Sequence, residues 1–323
     1  MVKIQEITQK FKDKGLSESS ISNYLKNLKR LNNNNDLNDL KFLENTEDIL
    51  KKLEKYKPNT KRSYLIAIVS TLKVLEPKSK LFKFYYDQMI QIAQTIKKDD
   101  TSELSNSQKK NWLDWKEIKE IFEKLKDKVF SFSKRGKLQR KQYEDLLNLV
   151  VTALYICQEP RRNLDYQILY KTKNYKSFFT DTHNYITANY FIFNRYKTDK
   201  KYGTQKILIN DELKPILDLY YKHSGQPKVK PEIFLVDYDK KPLDKINSIT
   251  RILNSVFGKN IGSSLLRHIY LTHKYGDKLK EQKESANNMA HSLKTQKEYI
   301  KDPTDTEELK NNKLYKKLKV NFD

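Results

Sequence analysis

Residues 146–157, LLNLVVTALYIC, carry no charged side chain. An apolar run of this length, apolar on every face, suits a helix buried all round rather than a strand. Whatever this chain folds into must therefore build a core around that helix. The run leads straight into Glu159-Pro160-Arg161-Arg162-Asn163-Leu164-Asp165. Proline stops the helix, and a cluster of charges arrives at the edge of the core. Two uses are open: surface ion pairs of the arginines with Glu159 and Asp165, or an anion site.

The 323 residues suit two domains, each long enough to bury a core. The charge balance favours an anionic partner. Lys and Arg number 64 against 41 Asp and Glu, a formal +23. Such an excess draws a chain to polyanions, of which nucleic acid is the commonest; the plain alternative is a Lys-rich solvated surface from an AT-rich genome. Only nine of these cations are Arg, against 55 Lys. In so Lys-biased a chain, the adjacent pair Arg161-Arg162 points to work for a planar fork that grips two phosphate oxygens. Cys157 is the single cysteine, so no intramolecular disulfide framework is possible and a reducing compartment is expected. It sits in the apolar run and reads as core. No apolar run approaches the length of a membrane span, and residues 1–15 lack the apolar centre of a secretory signal. An intracellular protein, neither secreted nor membrane-bound, is expected.

Residues 1–100 read as helices. Ile21, Tyr24, Leu25, Leu28 and Leu31 share one helix face after a Ser17 cap. A short helix is expected over 46–56. Pro58 starts another, with Tyr64, Leu65, Ile68, Val69 and Leu72 inward, and a further helix runs over about 79–96. Their polar faces carry Lys61 and Arg62, suited to phosphates or simply to water. Periodicity is lost at 97–111, giving a domain of 1–100, a linker of 101–111 and a second domain of 112–323. Trp112 and Trp115 open the second domain as core anchors. Strand character appears over 185–209. YITANYFIFN and QKILIN flank a turn with Arg195, Lys197, Lys200 and Lys201, a β-hairpin whose basic tip can enter a DNA groove. Helices are expected over 212–223 and 246–257, with a strand or extended piece over 232–237.

The stretch 262–300 holds three chemically suggestive items: Arg267 followed by His268, then His291 in a turn-like MAHS, then Tyr299. A phenol can attack a phosphodiester while guanidinium and imidazole hold its oxygens. No CxxC or HExxH spacing occurs, so no zinc site is expected. His273 reads as a helix-face residue.

Taken together, the apolar helix with Arg161-Arg162, the basic hairpin and the ordered Arg267, His291 and Tyr299 resemble the tyrosine recombinases, the integrase family. The resemblance implies a mainly α fold with a small antiparallel sheet: an N-terminal helical core-binding, SAM-like domain and a tyrosine-recombinase catalytic domain. It implies Arg162 as the first catalytic arginine, with Asp165 as the acid three residues on; Arg161 stays open for that role. It further implies Lys197 as general acid, Ser264 at the position three before the second arginine, Arg267 itself with His268 following, His291, and Tyr299 as nucleophile. DNA contacts are implied for Arg161, Arg195, Lys200, Lys201, His268, Lys61 and Arg62. The chain departs from the family pattern at Ser264, where His or Lys is usual, at Ala290, where Gly is usual, and in a His–Tyr spacing of eight residues, where nine is common. Ser264 brings a hydrogen bond but no positive charge.

The activity implied by the resemblance is metal-free cutting and rejoining of double-stranded DNA through a 3′-phosphotyrosine. The protein would act as a dimer or tetramer on DNA, for a mobile element or viral genome, in host cytoplasm or nucleus. The tail after Tyr299 would pack on a neighbouring or its own domain. The alternatives are a catalytically impaired DNA-binding protein of the same fold, or a hairpin telomere resolvase or type IB topoisomerase-like enzyme. A metal-dependent carboxylate integrase would leave the Arg–Arg–Tyr set unused.

Overall fold

A computed structural model describes residues 4–98, 104–134, 136–173, 181–245 and 247–300. The tail after Tyr299, from 301 on, lies outside the described residues. The fold is mainly helical with one small sheet, and the chain divides into two compact units, Met1–Leu104 and Ser105–Asp323.

The first unit is built from α1 (Ile4–Asp13), α2 (Glu18–Leu31), α3 (Thr46–Glu54), α4 (Pro58–Leu75) and α5 (Lys80–Lys98), with a single 3-10 turn at Lys41–Leu43. Ser17 caps α2 by accepting from the Ser20 N–H. Pro58 opens α4, where its missing N–H costs nothing. The expected apolar set, Tyr64, Leu65, Ile68, Val69 and Leu72, is the buried face of α4. Helices α1, α2, α3 and α5 all pack on α4, and the buried Tyr85 hydroxyl ties α5 to the 3-10 turn by donating to the Leu43 carbonyl at 2.7 Å.

The second unit starts inside the stretch expected to be a linker. Ser105 and Gln108 form a reciprocal capping box, and this local bonding makes α6 (Asn106–Asn111) without any apolar face. Then come α7 (Trp115–Ser131) and α8 (Arg140–Ile156). The run 146–157 forms most of α8 and is buried except at the half-buried Asn148. Helix α7 covers it, as do α11 (Lys214–Ser224) and α12 (Ser248–Phe257). Cys157, just past α8, is buried, and burial pushes its thiol up to about 12, so it is inert packing. Trp112 and Trp115 pack against this core.

The sheet corrects two expectations. It is mixed rather than antiparallel, in the order β4-β3-β2-β1-β5. Strand β1 (Leu169–Lys171) runs parallel to β2 (Asn184–Ile186), with Leu169 opposite Asn184. A three-residue strand is too short for its sequence to show a period, and its partner lies a crossover away. The expected single strand YITANYFIFN is instead β2, a turn, and β3 (Tyr190–Phe193). Thr187 closes that turn, with its N–H donating to the Tyr190 carbonyl at 2.9 Å. Strand β4 (Gln205–Leu208) pairs antiparallel with β3 and forms one edge; β5 (Glu232–Ile233) forms the other.

The basic hairpin is thus β3–β4, and its connector holds one helical turn, α10 (Asp199–Tyr202). A single side chain anchors its base. Asn184, fully buried, donates to the carbonyls of Asp165 and Arg195 at 3.1 and 2.9 Å, and accepts from the N–H groups of Asn194 and Arg195 at 2.9 and 2.8 Å. Replacing it by Leu removes all four bonds and leaves buried backbone groups unpaired. Since each such group costs about 1–3 kcal/mol, Asn184→Leu is expected to lower unfolding free energy by roughly 3 kcal/mol or more. Urea denaturation checks this; a loss under about 1 kcal/mol would show that the base of the hairpin is held some other way.

Candidate active site

Three arginines meet where α8 ends. After Cys157 the chain turns through Pro160 into α9 (Asn163–Gln167), with Arg162 as its N-cap residue. This short helix is fastened to the core by side chains. The Tyr155 hydroxyl donates to Asn163 Oδ1 at 2.7 Å, the Tyr166 hydroxyl to the Leu154 carbonyl at 2.9 Å, and Asn163 Nδ2 to Thr250 Oγ1 of α12 at 2.8 Å. The third arginine, Arg267, comes from the second turn of α13 (Ser263–Asn288), whose Leu265, Leu266 and Ile269 are buried. Its Nε donates to the Ser263 carbonyl at 3.3 Å.

Arg161, Arg162 and Arg267 line one open cleft of about 220 Å³, with Asp165, Tyr196, Thr198, Tyr202 and Gln205. The two adjacent arginines differ in what they touch. Arg161 is paired with the buried Asp165 carboxylate at 3.0 Å and also donates to Gln205 Oε1 at 2.6 Å. Arg162 has no ion pair or side-chain hydrogen bond among the described residues. Burial raises the Asp165 pKa, and the charge of Arg161 is the largest opposing cause. Arg267 has its pKa lowered, first by burial and next by the guanidinium of Arg162. Arg keeps its proton regardless, so two cations share the cleft, and the Asp165 carboxylate offsets only part of their repulsion. This arrangement attracts an oxyanion, which can accept from both forks.

The other expected site residues fall into two groups. Lys197 sits in the β3–β4 connector, exposed, between Tyr196 and Thr198 of the cleft wall. Lys200 and Lys201 are exposed on α10, and Arg195 is exposed with Asp199 3.7 Å away. Ser264 and His268 are exposed on the first turns of α13 beside Arg267, and neither lines the cleft. His273 stacks on Trp115 at 5.7 Å. Lys61, half-buried, and Arg62, exposed, belong to α4 of the first unit.

His291 and Tyr299 form a separate pair, their ring centroids 5.8 Å apart. His291 follows a turn in which Ala290 takes φ 54°, and Tyr299 ends α14 (Leu293–Tyr299) with 73 % of its surface exposed. Helix α13 is continuous for 26 residues, so the helix between Arg267 and this pair is about 30 Å long. The structure therefore gathers Arg161, Arg162, Arg267 and the flanks of Lys197, and holds His291 and Tyr299 apart from them. Sequence reasoning missed Gln205, Tyr196, Thr198 and Tyr202 as cleft residues. Their presence depends on how the hairpin folds back, for which no local spacing exists.

Among the described residues no three His, Cys, Asp or Glu side chains come together as a metal site, and no helix is long and apolar enough to cross a membrane. No family model matches this chain, and neither curated proteins nor solved structures give a match.

Anion binding at the paired arginines would relieve their repulsion and so stabilise the folded chain. With inorganic phosphate at about a hundred times its Kd, the gain is about 2.7 kcal/mol. Arg162→Ala is expected to raise the melting temperature slightly without phosphate and to abolish most of the phosphate-induced rise. Thermal melts across a phosphate series test this; an unchanged phosphate response in the variant would remove Arg162 from the anion site.

Proposed function

We propose that the chain is a tyrosine-recombinase-like DNA strand transferase, with the first unit as a helical core-binding, SAM-like domain and the second as the catalytic domain. The observation that carries this is the cleft of Arg162 and Arg267. Two arginines far apart in sequence, both singled out by the resemblance, line one cleft beside the turn of Lys197.

In this proposal the scissile phosphate sits between the two guanidinium forks, which stabilise the charge gathering on its non-bridging oxygens. Tyr299 attacks phosphorus, its proton passing to His291. The 3′ side becomes joined to the phenol oxygen, and the 5′-oxygen leaves with a proton from Lys197. Attack by another strand's 5′-hydroxyl reverses the step. The bond energy is conserved, so the chemistry needs no nucleotide. DNA is the partner, met by two or four copies, in the integration or excision of a mobile element or viral genome.

Tyr299 cannot reach a phosphate held by Arg267 while α13 is one straight helix, since about 30 Å exceeds the joint reach of two side chains. Cleavage therefore needs a changed course of the chain after Arg267, or a second copy. Mixing Arg267→Ala with Tyr299→Phe separates the routes: an adduct forms in the mixture only if one copy supplies the tyrosine to another. That same distance favours the second proposal, a protein of this build that binds DNA without cutting it.

The test is covalent trapping in EDTA, on nicked duplexes from the ends of the element encoding the chain. An adduct stable to denaturation is expected with the native chain and none with Tyr299→Phe. DNA bound without adduct would favour the non-cutting protein. DNA affinity is expected to fall about 10³-fold or more between about 50 and 200 mM salt if six or more phosphates are contacted. A flat salt series would rule out extended backbone contact.

A further inference from the structure

Arg161 does not enter the chemistry just proposed, yet it is the arginine with the fuller set of partners. Its side chain is only 15 % exposed. Its Nε donates to Asp165 on α9, and its Nη1 to Gln205 at the start of β4. Its guanidinium lies 3.9 Å from the ring centre of Phe193, which ends β3, and 5.0 Å from that of Tyr196 in the connector. One planar cation thus grips the helix that begins at Arg162 and both arms of the β3–β4 hairpin.

Lys197 lies between those grips. It comes directly after Tyr196, and among the described residues no hydrogen bond or ion pair holds its own side chain. The connector is tied internally: the Tyr196 hydroxyl donates to the Gly203 carbonyl at 2.6 Å, and Thr204 Oγ1 donates to Asn194 Oδ1 at 3.0 Å. These ties give the connector its shape but do not anchor it to α9. Asn184 ties the Arg195 backbone to the Asp165 carbonyl at the hairpin base, and the side-chain link from Tyr196 and from β4 to α9 runs through Arg161, at the cleft lined by Arg162 and Arg267.

We infer that Arg161 is a positioning residue that braces the Lys197 turn against α9, so that Lys197 meets the leaving oxygen of a phosphate held by Arg162 and Arg267. This rests on the strand-transfer proposal above. In the step concerned, the bond from the Tyr299 oxygen to phosphorus forms. The bond from phosphorus to the 5′-oxygen breaks, its electron pair leaves with that oxygen, and the Lys197 ammonium protonates it. Arg161 touches none of these atoms. Lysine in its place keeps a cation beside Asp165 but lacks the planar fork that donates to Asp165 and Gln205 at once while lying close to two rings.

A substrate with sulfur in place of the bridging 5′-oxygen isolates proton delivery, because a thiolate leaves without being protonated. Single-turnover adduct formation is measured on oxygen and sulfur duplexes with the full chain, Lys197→Ala, Arg161→Lys, Gln205→Ala and Arg162→Ala. On oxygen, Arg161→Lys and Gln205→Ala are expected to slow cleavage about tenfold or more, and Lys197→Ala further, as general-acid loss does. On sulfur all three recover to near the native rate, whereas Arg162→Ala stays slow. Misfolding would depress both substrates alike, so recovery on sulfur is the decisive readout. Arg161→Lys slowed equally on both, or unaffected on oxygen, overturns the inference while leaving the strand-transfer proposal standing. If the native chain forms no adduct on either substrate, the strand-transfer proposal falls and takes the inference with it.

Discussion

Arg162 and Arg267 share one cleft with no carboxylate left to pair with them. The acid in the cleft wall, Asp165, is already held by Arg161, and its backbone N–H is bonded to the Arg162 carbonyl. Burial and mutual repulsion both disfavour charge on Arg267, yet a guanidinium does not deprotonate. Asp165 offsets part of that repulsion, and an incoming anion would relieve the rest. Such a site is preorganised: its donors are in position before the ligand arrives, and little reorganisation is left to do when charge develops.

Holding like charges together requires a stiff scaffold, and α8 supplies it. Its buried faces are covered by α7, α11 and α12, and the helix ends at the cleft. Helix α9 and the hairpin base are pinned by buried or partly buried polar contacts. Tyr155 and Tyr166 hold α9, Asn163 reaches α12, and Asn184 holds the hairpin base to α9. The tyrosine hydroxyls are buried deeply enough that ionisation is strongly disfavoured, so they act as fixed donors. An apolar core alone would leave these short elements free to slide; directional bonds in a low dielectric fix them.

Helix α13 separates two groups of residues that lie in one stretch of the sequence. Its first turns place Arg267 in the cleft, and beyond its far end lie the half-buried His291 and, beside it, the exposed Tyr299. Along its exposed side Leu271, Tyr275 and Leu279 recur every four residues without covering. Gly276, near its middle, has the weakest helix propensity in that stretch, costing about 1 kcal/mol relative to Ala. A Cβ there would meet only Thr272 at ordinary contact distance, so no close packing demands the glycine.

Much of this was legible in the residues. Amphipathic helices such as α2 and α4 announce themselves because their inward faces repeat every three or four residues, and the all-apolar run 146–157 could only be interior. The hairpin carrying Lys197, and Arg161-Arg162 at a helix end, were visible for equally local reasons. Helix α6 escaped because its capping box, not periodicity, makes it. The parallel pairing of β1 escaped because three residues hold no pattern and the partner is distant. Between Arg161 and Arg162 only tertiary contact decides, since Asp165, Gln205, Phe193 and Tyr196 claim one guanidinium and leave the other free for the cleft. The sequence by itself determined the helical build, the cationic character and the residue types that line the cleft. The tertiary structure alone decided which of them meet, because pairing across a fold is set by packing geometry that no local spacing encodes.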